Sequence, residues 1–441
     1  MNFSLTEEHL MIRDAARDFA QTELLPGVIE RDNTQTFPNE LVRKMGDLGF
    51  MGIMVDPKYG GSGMDAISYV LIMEELSKID ASASVIVSVN NSLVCYGLEA
   101  YGSETQKQKY LSKLATGEFV GAFCLSEPEA GSDATSQKTT AIDMGDHYII
   151  NGTKNWITSG GRSDVYLVIA QTNKEKRHKG INAFIVEKGM PGFDVGPKED
   201  KLGIRGSDTH TLQFNDVKVP KENRIGDEGF GFKFAMKTLS GGRIGIAAQA
   251  LGIAAGAYEL ALKYSKERKA FGVPICEHQA IAFKLADMAT EIEAARLLVH
   301  RAAWLKDIGG EYVSASSMAK LFASDARIVS FTSEGNTKAW KNYAAVSAAK
   351  TALEAITRNI ALEFAPHGIK ANCIQAGITD TASFRVIPGS ELIKAHSLLR
   401  NPFKRLTRPQ DVANVVYLLS KDEAAWINGT IIPVDGGEHI S

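Results

Sequence analysis

Cysteine is scarce in this chain: four in 441 residues, Cys95, Cys124, Cys276 and Cys373, with no C-x-x-C pair among them. Scattered single cysteines make no disulfide framework and fit a reduced, cytoplasmic setting. No histidine–cysteine cluster has the spacing of metal ligands, so no metal is expected. An excess of either charge is missing too. The 49 basic and 52 acidic residues leave a formal net charge of −3. No basic stripe stands out, so nucleic acid is not an expected partner. No run of like charges marks a disordered tail. No apolar stretch of roughly 18 residues is evident, so no membrane span is expected. The opening "MNFSLTEEHLMIRDAARDF" has neither a basic n-region nor a continuous apolar run, so no secretory leader is expected. Fixed-period repeats and low-complexity segments are also missing.

What is present is enough apolar material, 44% of the residues, for two or three domains with cores of their own. The texture changes three times along the chain. Residues 1–120 read as helical, with Thr6 as an N-cap and Glu7 and Glu8 in the first turn, where the helix dipole favours acids. "PKYGGSG" (57–63) is a glycine-rich loop. From 121 to 231 short β-rich segments recur between turn signals, and Asn151-Gly152 reads as a hairpin turn. This predicts a small antiparallel β domain. From 232 to 326 the chain is helical again, and Leu285, Met288, Ile292, Ala295 and Leu298 make one apolar face at helical spacing. From 327 to 441 strand-like segments alternate with helical ones, the pattern of a parallel α/β sheet of about three strands. There Thr407 and Gln410 stand at capping-box spacing, with Pro409 in the first turn. The expected fold is therefore mainly α with a β middle domain, followed by a partial α/β, Rossmann-like segment.

Two stretches carry chemistry. "FCLSEPEAGSDATS" (123–136) combines small residues and hydroxyls in a tight loop that can bring backbone N–H groups against a flat, polar heterocycle. By itself it is as readily an ordinary surface turn. "NWITSGG" (155–161) puts an aromatic and then a hydroxyl at a strand end, although a strand tryptophan is more often core. Together with "YGGSG", "DKLGIRGSDT", "GGRIGIAAQALGIA" and "ERKAFGVPI", in this order over residues 1–326, they resemble the acyl-CoA dehydrogenase family, nearest its short-chain, butyryl-CoA type. That resemblance implies a helical domain, a β-barrel-like middle domain and a C-terminal helical bundle. It also implies FAD, an acyl-CoA substrate, an electron-transfer flavoprotein as redox partner and a homo-oligomer. Residue by residue, it implies that Phe123, Cys124, Leu125 and Ser126 meet the polar edge of the flavin. Trp156 packs on the isoalloxazine, with Ile157 beside it, and Thr158 bonds near N5. Ser132 lies at the acyl-CoA site. Ser240, Gly241, Gly242 and Arg243 hold the CoA portion, although the family often has Asp where this chain has Ser240. Arg268 and Gln279 reach the FAD of a neighbouring subunit, Arg268 on its pyrophosphate. For Arg243 and Arg268 the residues alone suggest solvated helix charges.

The reaction such sites run is α,β-dehydrogenation of an acyl thioester, and a carboxylate that removes the α-proton is indispensable to it. Here the family's "Y-E-G-T-N-E"-like segment and the Q-x-x-G-G-x-G segment before it are absent. The alternative place for the base, just before the arginine of "GGR", is Gly242. Beyond 326 the chain resembles instead the C-terminal half of a short-chain dehydrogenase/reductase, through "FTSEGNTKAWKNYAAVSAAKTALEAITRNIALEFAPHGIKANCIQAG" and "INGTIIPVDGG". The Tyr343–Lys350 spacing is that of enoyl-acyl-carrier-protein reductases. That resemblance makes Tyr343 a proton donor and Lys350 its partner at the ribose, with Thr332 or Ser333 assisting and Thr381 near a nicotinamide. The glycine-rich T-G-x3-G-x-G turn that should precede these residues is missing, so NAD(P) binding is not expected. Glu334 in "SEGNT" mimics the dehydrogenase base, but only nine positions separate it from Asp325, at most about 32 Å of extended chain, and it is expected not to be catalytic. Three readings follow: an FAD-dependent acyl-CoA dehydrogenase impaired by its missing base, an NAD(P)-linked enoyl or oxoacyl reductase, or a non-catalytic chimera that binds acyl-CoA or flavin.

Overall fold

Thr6 starts the first helix through a capping box with His9, its hydroxyl accepting the His9 N–H at 3.2 Å. The computed structural model describes residues 4–324, 327–333, 351, 353–355, 357–359, 361–362, 370–380, 382–385, 389–419, 422–424 and 426–440. The chain divides into two compact units, Met1–Ser324 and Asp325–Ser441.

In the first unit eight helices come first: α1 (Glu7–Phe19), α2 (Val28–Asn33), α3 (Asn39–Asp47), α4 (Ala66–Ser77), α5 (Ala81–Ser88), α6 (Tyr96–Tyr101), α7 (Glu104–Gln106) and α8 (Ser112–Ala115). α4 is buried on nearly every side. The two acids it takes inside are each paired: Glu75 with Arg17 of α1 at 2.9 Å, and Glu74 with Arg296 at 2.8 Å. A buried carboxylate is tolerated only with such a partner.

An eight-stranded mixed sheet follows: β1 (Gly121–Cys124), β2 (Thr140–Asp143), β3 (His147–Thr158), β4 (Val165–Gln171), β5 (Ile181–Glu187), β6 (Phe193–Lys198), β7 (Thr209–Pro220) and β8 (Arg224–Ile225). Its path runs β6-β7-β3-β2-β4-β5-β8, with β1 parallel to β4 at the side. β4, "VYLVIAQ", is buried throughout because both its faces are covered. Val165, Leu167 and Ile169 enter a cluster shared with helices, while Tyr166, Val168 and Ala170 enter a second cluster shared with β3 and β7. Period-two alternation thus feeds two cores at once. The expected Asn151–Gly152 hairpin does not exist. Both residues lie inside β3, where Asn151 exchanges hydrogen bonds with Asp216 of β7 (2.9 and 2.8 Å). Gly152 is required there because a Cβ would stand 2.5 Å from the Thr139 hydroxyl.

The 37-residue helix α9 (Gly231–Glu267) leaves the sheet and runs back along the helices. It begins in the sheet's helical core at Phe234 and Ala235 and continues against α4 and α5 through Ile244, Ala247, Ala248 and Leu251. Close approach needs glycine: a Cβ on Gly252 would lie 2.4 Å from the Glu74 carbonyl. α10 (Gln279–Asp307) and α11 (Val313–Ala323) complete the unit, joined to α9 by a short hairpin, β9 (Lys269–Ala270) with β10 (Val273–Pro274). The expected apolar face of α10 is corrected in part. Leu285 and Ala295 are buried and Ile292 and Leu298 pack on the core, but Met288 is exposed. The uncovered apolar surface consists instead of side chains such as Phe283, Leu297, Trp304 and Leu321. The expected lack of long apolar helices is corrected too. Ala81–Tyr101 and Gly231–Glu267 are long and apolar enough to cross a membrane, with 78% and 50% of their apolar windows buried against the rest of the protein.

The second unit holds a parallel sheet of β11 (Arg327–Ser333), β12 (Lys370–Ala376) and β13 (Ile431–Val434), in that order. A helix over Pro409–Leu419 covers it, with Ile374, Leu419 and Ala424 as the core. The expected capping by Thr407 is replaced: Thr407 bridges to Thr379, and the Arg408 N–H is taken by the Asp411 carboxylate at 2.8 Å.

Burying one leucine-sized side chain is worth about 1.5–3 kcal/mol, so the uncovered aromatic and aliphatic groups of α10 and α11 leave those helices short of stabilisation. Amide hydrogen exchange is expected to be faster across 279–323 than across β3–β5. Equal protection would show that the apolar surface is covered in solution.

Candidate functional site

Lys154 has no exposed side-chain surface. It sits on β3 and reaches three oxygens of the loop after β1: the Leu125 carbonyl at 3.0 Å, the Glu127 carboxylate at 2.7 Å and the Gln137 amide at 3.3 Å. Glu127 in turn accepts the N–H groups of Lys138 at 2.6 Å and Thr139 at 3.1 Å. Burial pushes the Glu127 carboxyl up, but the charge and hydrogen bond of Lys154 and these N–H donors outweigh it, and the group is held below the ordinary carboxylate range. Burial pulls the Lys154 ammonium down, with Glu127 opposing. The charged pair ties the loop carrying Leu125, Ser126 and Ser132 to the strand carrying Trp156 and Thr158. A backbone bond from the Asn155 N–H to the Ser126 carbonyl, 2.9 Å, adds to it.

One extra residue then turns β3 over. Tyr148, Ile150 and Lys154 point inward at even positions, and the same alternation would bury Trp156. Between the pairs Lys154–Leu212 and Ile157–His210, β3 advances three residues while β7 advances two. This bulge inverts the phase, so Ile157 enters the core and Trp156 faces out, 64% exposed. The cost is visible in the backbone: Trp156 and Ser159 have φ of 61° and 59°, sparsely populated values for residues with a Cβ. Thr158 is half-buried, and its hydroxyl has no hydrogen-bond partner among the described residues. Asn155 Oδ1, Ser159 Oγ and Ser163 Oγ are buried and equally unpartnered. An outward indole on a strained bulge beside unused polar atoms fits the flat, polar-edged flavin that the sequence resemblance implies.

Phe123 stacks on Phe234 of α9, ring centroids 6.2 Å apart. Cys124 is buried, and burial pushes its thiol up, so it is an inert core residue. Ser132 is exposed in the loop, which Asp133 folds by accepting from the Thr135 hydroxyl at 2.7 Å. Six residues after Phe234, the Ser240 hydroxyl accepts from Arg243 at 3.1 Å and donates to the Met236 carbonyl at 2.9 Å. Gly241 is buried yet has nothing within 4 Å of where a Cβ would sit, and a Cβ on Gly242 would meet Leu93 Cδ2 at 2.8 Å. An open space therefore adjoins Gly241.

Arg268 and Gln279 are not brought to this place. They flank the β9–β10 hairpin, both exposed, and Arg268 lies 25 residues beyond Arg243, about 37 Å at helical rise. Ser333 is described only as the last residue of β11, with Thr332 before it. Tyr343, Lys350, Glu334 and Thr381 lie outside the described residues. Sequence reasoning missed Lys154 and Glu127. The signal was there, since an inward, even phase at a lysine demands a buried counter-charge, but the phase is legible only once Asn151–Gly152 is known not to turn.

The chain matches the family described as "Acyl-CoA dehydrogenase, N-terminal domain" over residues 6–118 and "Acyl-CoA dehydrogenase, middle domain" over 122–217. It also matches "Enoyl-(Acyl carrier protein) reductase" over 275–439. It is 50% identical over 325 residues to the short-chain specific acyl-CoA dehydrogenase of Clostridium acetobutylicum, covering 74% of this chain and 86% of that one. Among solved structures, butyryl-CoA dehydrogenase from Megasphaera elsdenii superposes with a TM-score of 0.72 at 48% identity, covering 74% of this chain and 86% of that one. A chain from work on the electron transferring flavoprotein of Acidaminococcus fermentans superposes with a TM-score of 0.73 at 54% identity, with the same coverage.

Lys154→Met leaves Glu127 buried without its partner, and removing one member of such a pair costs about 3–5 kcal/mol. The urea midpoint is expected to fall accordingly at neutral pH. The wild-type carboxyl is depressed on folding, so its contribution is present above its unfolded value and lost as pH falls through its folded one. In the variant the unpaired carboxyl is raised, so the gap between the two proteins narrows on acidification. A gap independent of pH would show that the pair is not charged.

Proposed function

Because the chain belongs to the acyl-CoA dehydrogenase family, we propose that its first unit binds FAD and a short-chain acyl-CoA on the face formed by the ends of β1 and β3 and by α9, but lacks the group that starts the chemistry. The observation that carries the reading is the outward Trp156 on its strained bulge, beside the unpartnered Thr158 hydroxyl. When bound, FAD supplies an acceptor for the β-hydrogen and two electrons of the thioester. The Trp156 indole offers it a flat apolar face. Thr158 offers a hydroxyl at the edge where negative charge accumulates, and a fixed donor there favours reduction. Leu125 and Ser126 present backbone and hydroxyl along the same edge, held by Lys154. Arg243 supplies a cation toward the CoA phosphates, oriented by Ser240. The open space beside Gly241 takes the acyl portion.

In this reading the α-proton has no acceptor among the described residues around Gly242. A hydrogen is the whole side chain at Gly242, and the neighbours a larger group would meet, Leu93 and Ser92, are neutral. A base must stand within about 3 Å of the proton it removes. The exposed Arg268 and Gln279, past the end of α9 and well beyond Arg243 along it, serve a second subunit, so the working form is a homo-oligomer. An electron-transfer flavoprotein is the corresponding redox partner, and a cytoplasmic location fits the scattered cysteines.

The purified protein is expected to take up FAD, and butyryl-CoA is expected to bind without bleaching the flavin absorbance. Gly242→Glu places a carboxylate beside the open space at the expense of shifting the flexible end of Leu93. Substrate-dependent bleaching should then appear. Bleaching by the unmodified protein would show that a base is supplied from elsewhere.

A second reading rests on the parallel three-stranded sheet of the second unit and its reductase match. The strand-turn-helix that cradles a dinucleotide pyrophosphate has no counterpart ahead of β11 in the sequence. Calorimetric titration with NADH and NADPH is expected to give no micromolar dissociation constant, about −8 kcal/mol. Such a constant would restore the reductase reading.

A further inference from the structure

The turn that follows Thr158 is held from one side by a single acid. Asp208 is 4% exposed. Its backbone carbonyl accepts the Ser159 N–H at 2.9 Å, and its carboxylate Oδ2 accepts the Gly161 N–H at 2.9 Å. The same oxygen stands 3.1 Å from His210 Nε2, and His210 Nδ1 lies 2.8 Å from the Gly196 carbonyl. The two glycines of "TSGG" exist to admit this group. A Cβ on Gly161 would meet Asp208 Oδ2 at 2.8 Å and His210 Nε2 at 2.6 Å, and one on Gly160 would lie 3.0 Å from His210 Cβ.

We propose that Asp208 is the positioning residue of the flavin-facing edge: it fixes Ser159 and Gly161 so that the strained backbone from Trp156 to Ser159 holds the Trp156 indole and Thr158 hydroxyl in place. The proposal rests on the reading of that edge as a flavin site. The physical reason is strain. Positive φ at Trp156 and at Ser159 is unfavourable for residues with side chains and persists only where neighbouring bonds over-determine it. Lys154 secures the strand before the bulge, and Asp208 secures the turn after it. Between them only Thr158 and Ile157 pair with β7, at Thr209 and His210. A carboxylate also suits the place electrostatically, because hydrogen bonds from backbone N–H to a charged acceptor are about twice as strong as neutral ones.

The test compares Asp208→Ala, Asp208→Asn and Gly161→Ala with the unmodified protein in FAD affinity, midpoint potential of bound flavin and amide exchange at Ser159 and Gly161. Asp208→Ala is expected to weaken FAD binding by about tenfold, to shift the potential and to speed exchange at the Gly161 amide, since it removes that amide's carboxylate acceptor, while the Ser159 amide keeps the backbone carbonyl of residue 208. Asp208→Asn keeps an oxygen for the Gly161 N–H and should recover most of the affinity. Gly161→Ala pushes a methyl group against the carboxylate without deleting it. It should reproduce the defects of Asp208→Ala, and it carries the test should that variant not fold. A purely structural acid would lower the melting temperature and leave the potential unchanged, which overturns the proposal, as does unaltered affinity in all three variants. Failure of the unmodified protein to take up FAD overturns the flavin site itself, while fast exchange confined to the variants would still establish the clamp.

Discussion

A lysine and a glutamate shut inside a β-sheet set the terms for this site. Neither Lys154 nor Glu127 could be buried alone, because an unpaired charge costs several kcal/mol in that position. Buried together, they must be neighbours, and their neighbourhood fixes the distance between the end of β1 and the middle of β3. Everything on the candidate site's edge is then displaced from that anchor by a few residues: Leu125 and Ser126 on one side, Trp156 and Thr158 on the other. The bulge can turn Trp156 outward without loosening the sheet because the strand is pinned one residue before it.

The second organising element is α9. Its first turns pack under the sheet and its later ones on α4 and α5, so one rigid rod carries the Phe234 contact, the Ser240–Arg243 segment and the hairpin with Arg268. The spacing along that rod separates two sets of candidate residues that the sequence alone presents as one list. Ser240 and Arg243 lie in its first half, and Arg268 and Gln279 lie past its end. The same rod carries the glycine pair, of which Gly241 faces open space and Gly242 lies against Leu93.

Much of the architecture was legible. The alternation of apolar residues gave the sheet and the helices, and Thr6 announced its cap. The errors have a common cause. Asn151–Gly152 looks like a turn because its residue types permit one, yet Gly152 is there for the Thr139 hydroxyl across the sheet. Thr407 looks like a cap for the same local reason, yet it pairs with Thr379. On α10, spacing picked out a face but not which part of it other helices would cover.

By itself the sequence determined the order of helical and β-rich regions, that two kinds of chain texture meet near residue 326, and that a glycine stands at position 242. These follow from short-range spacing and from the presence or absence of residue types. Only the tertiary structure decided that Lys154 is an interior residue, that Trp156 faces outward and that Gly160 and Gly161 make room for His210 and Asp208. Each depends on what lies opposite across the sheet, and a one-residue bulge, invisible in composition, reverses the face on which every later side chain emerges.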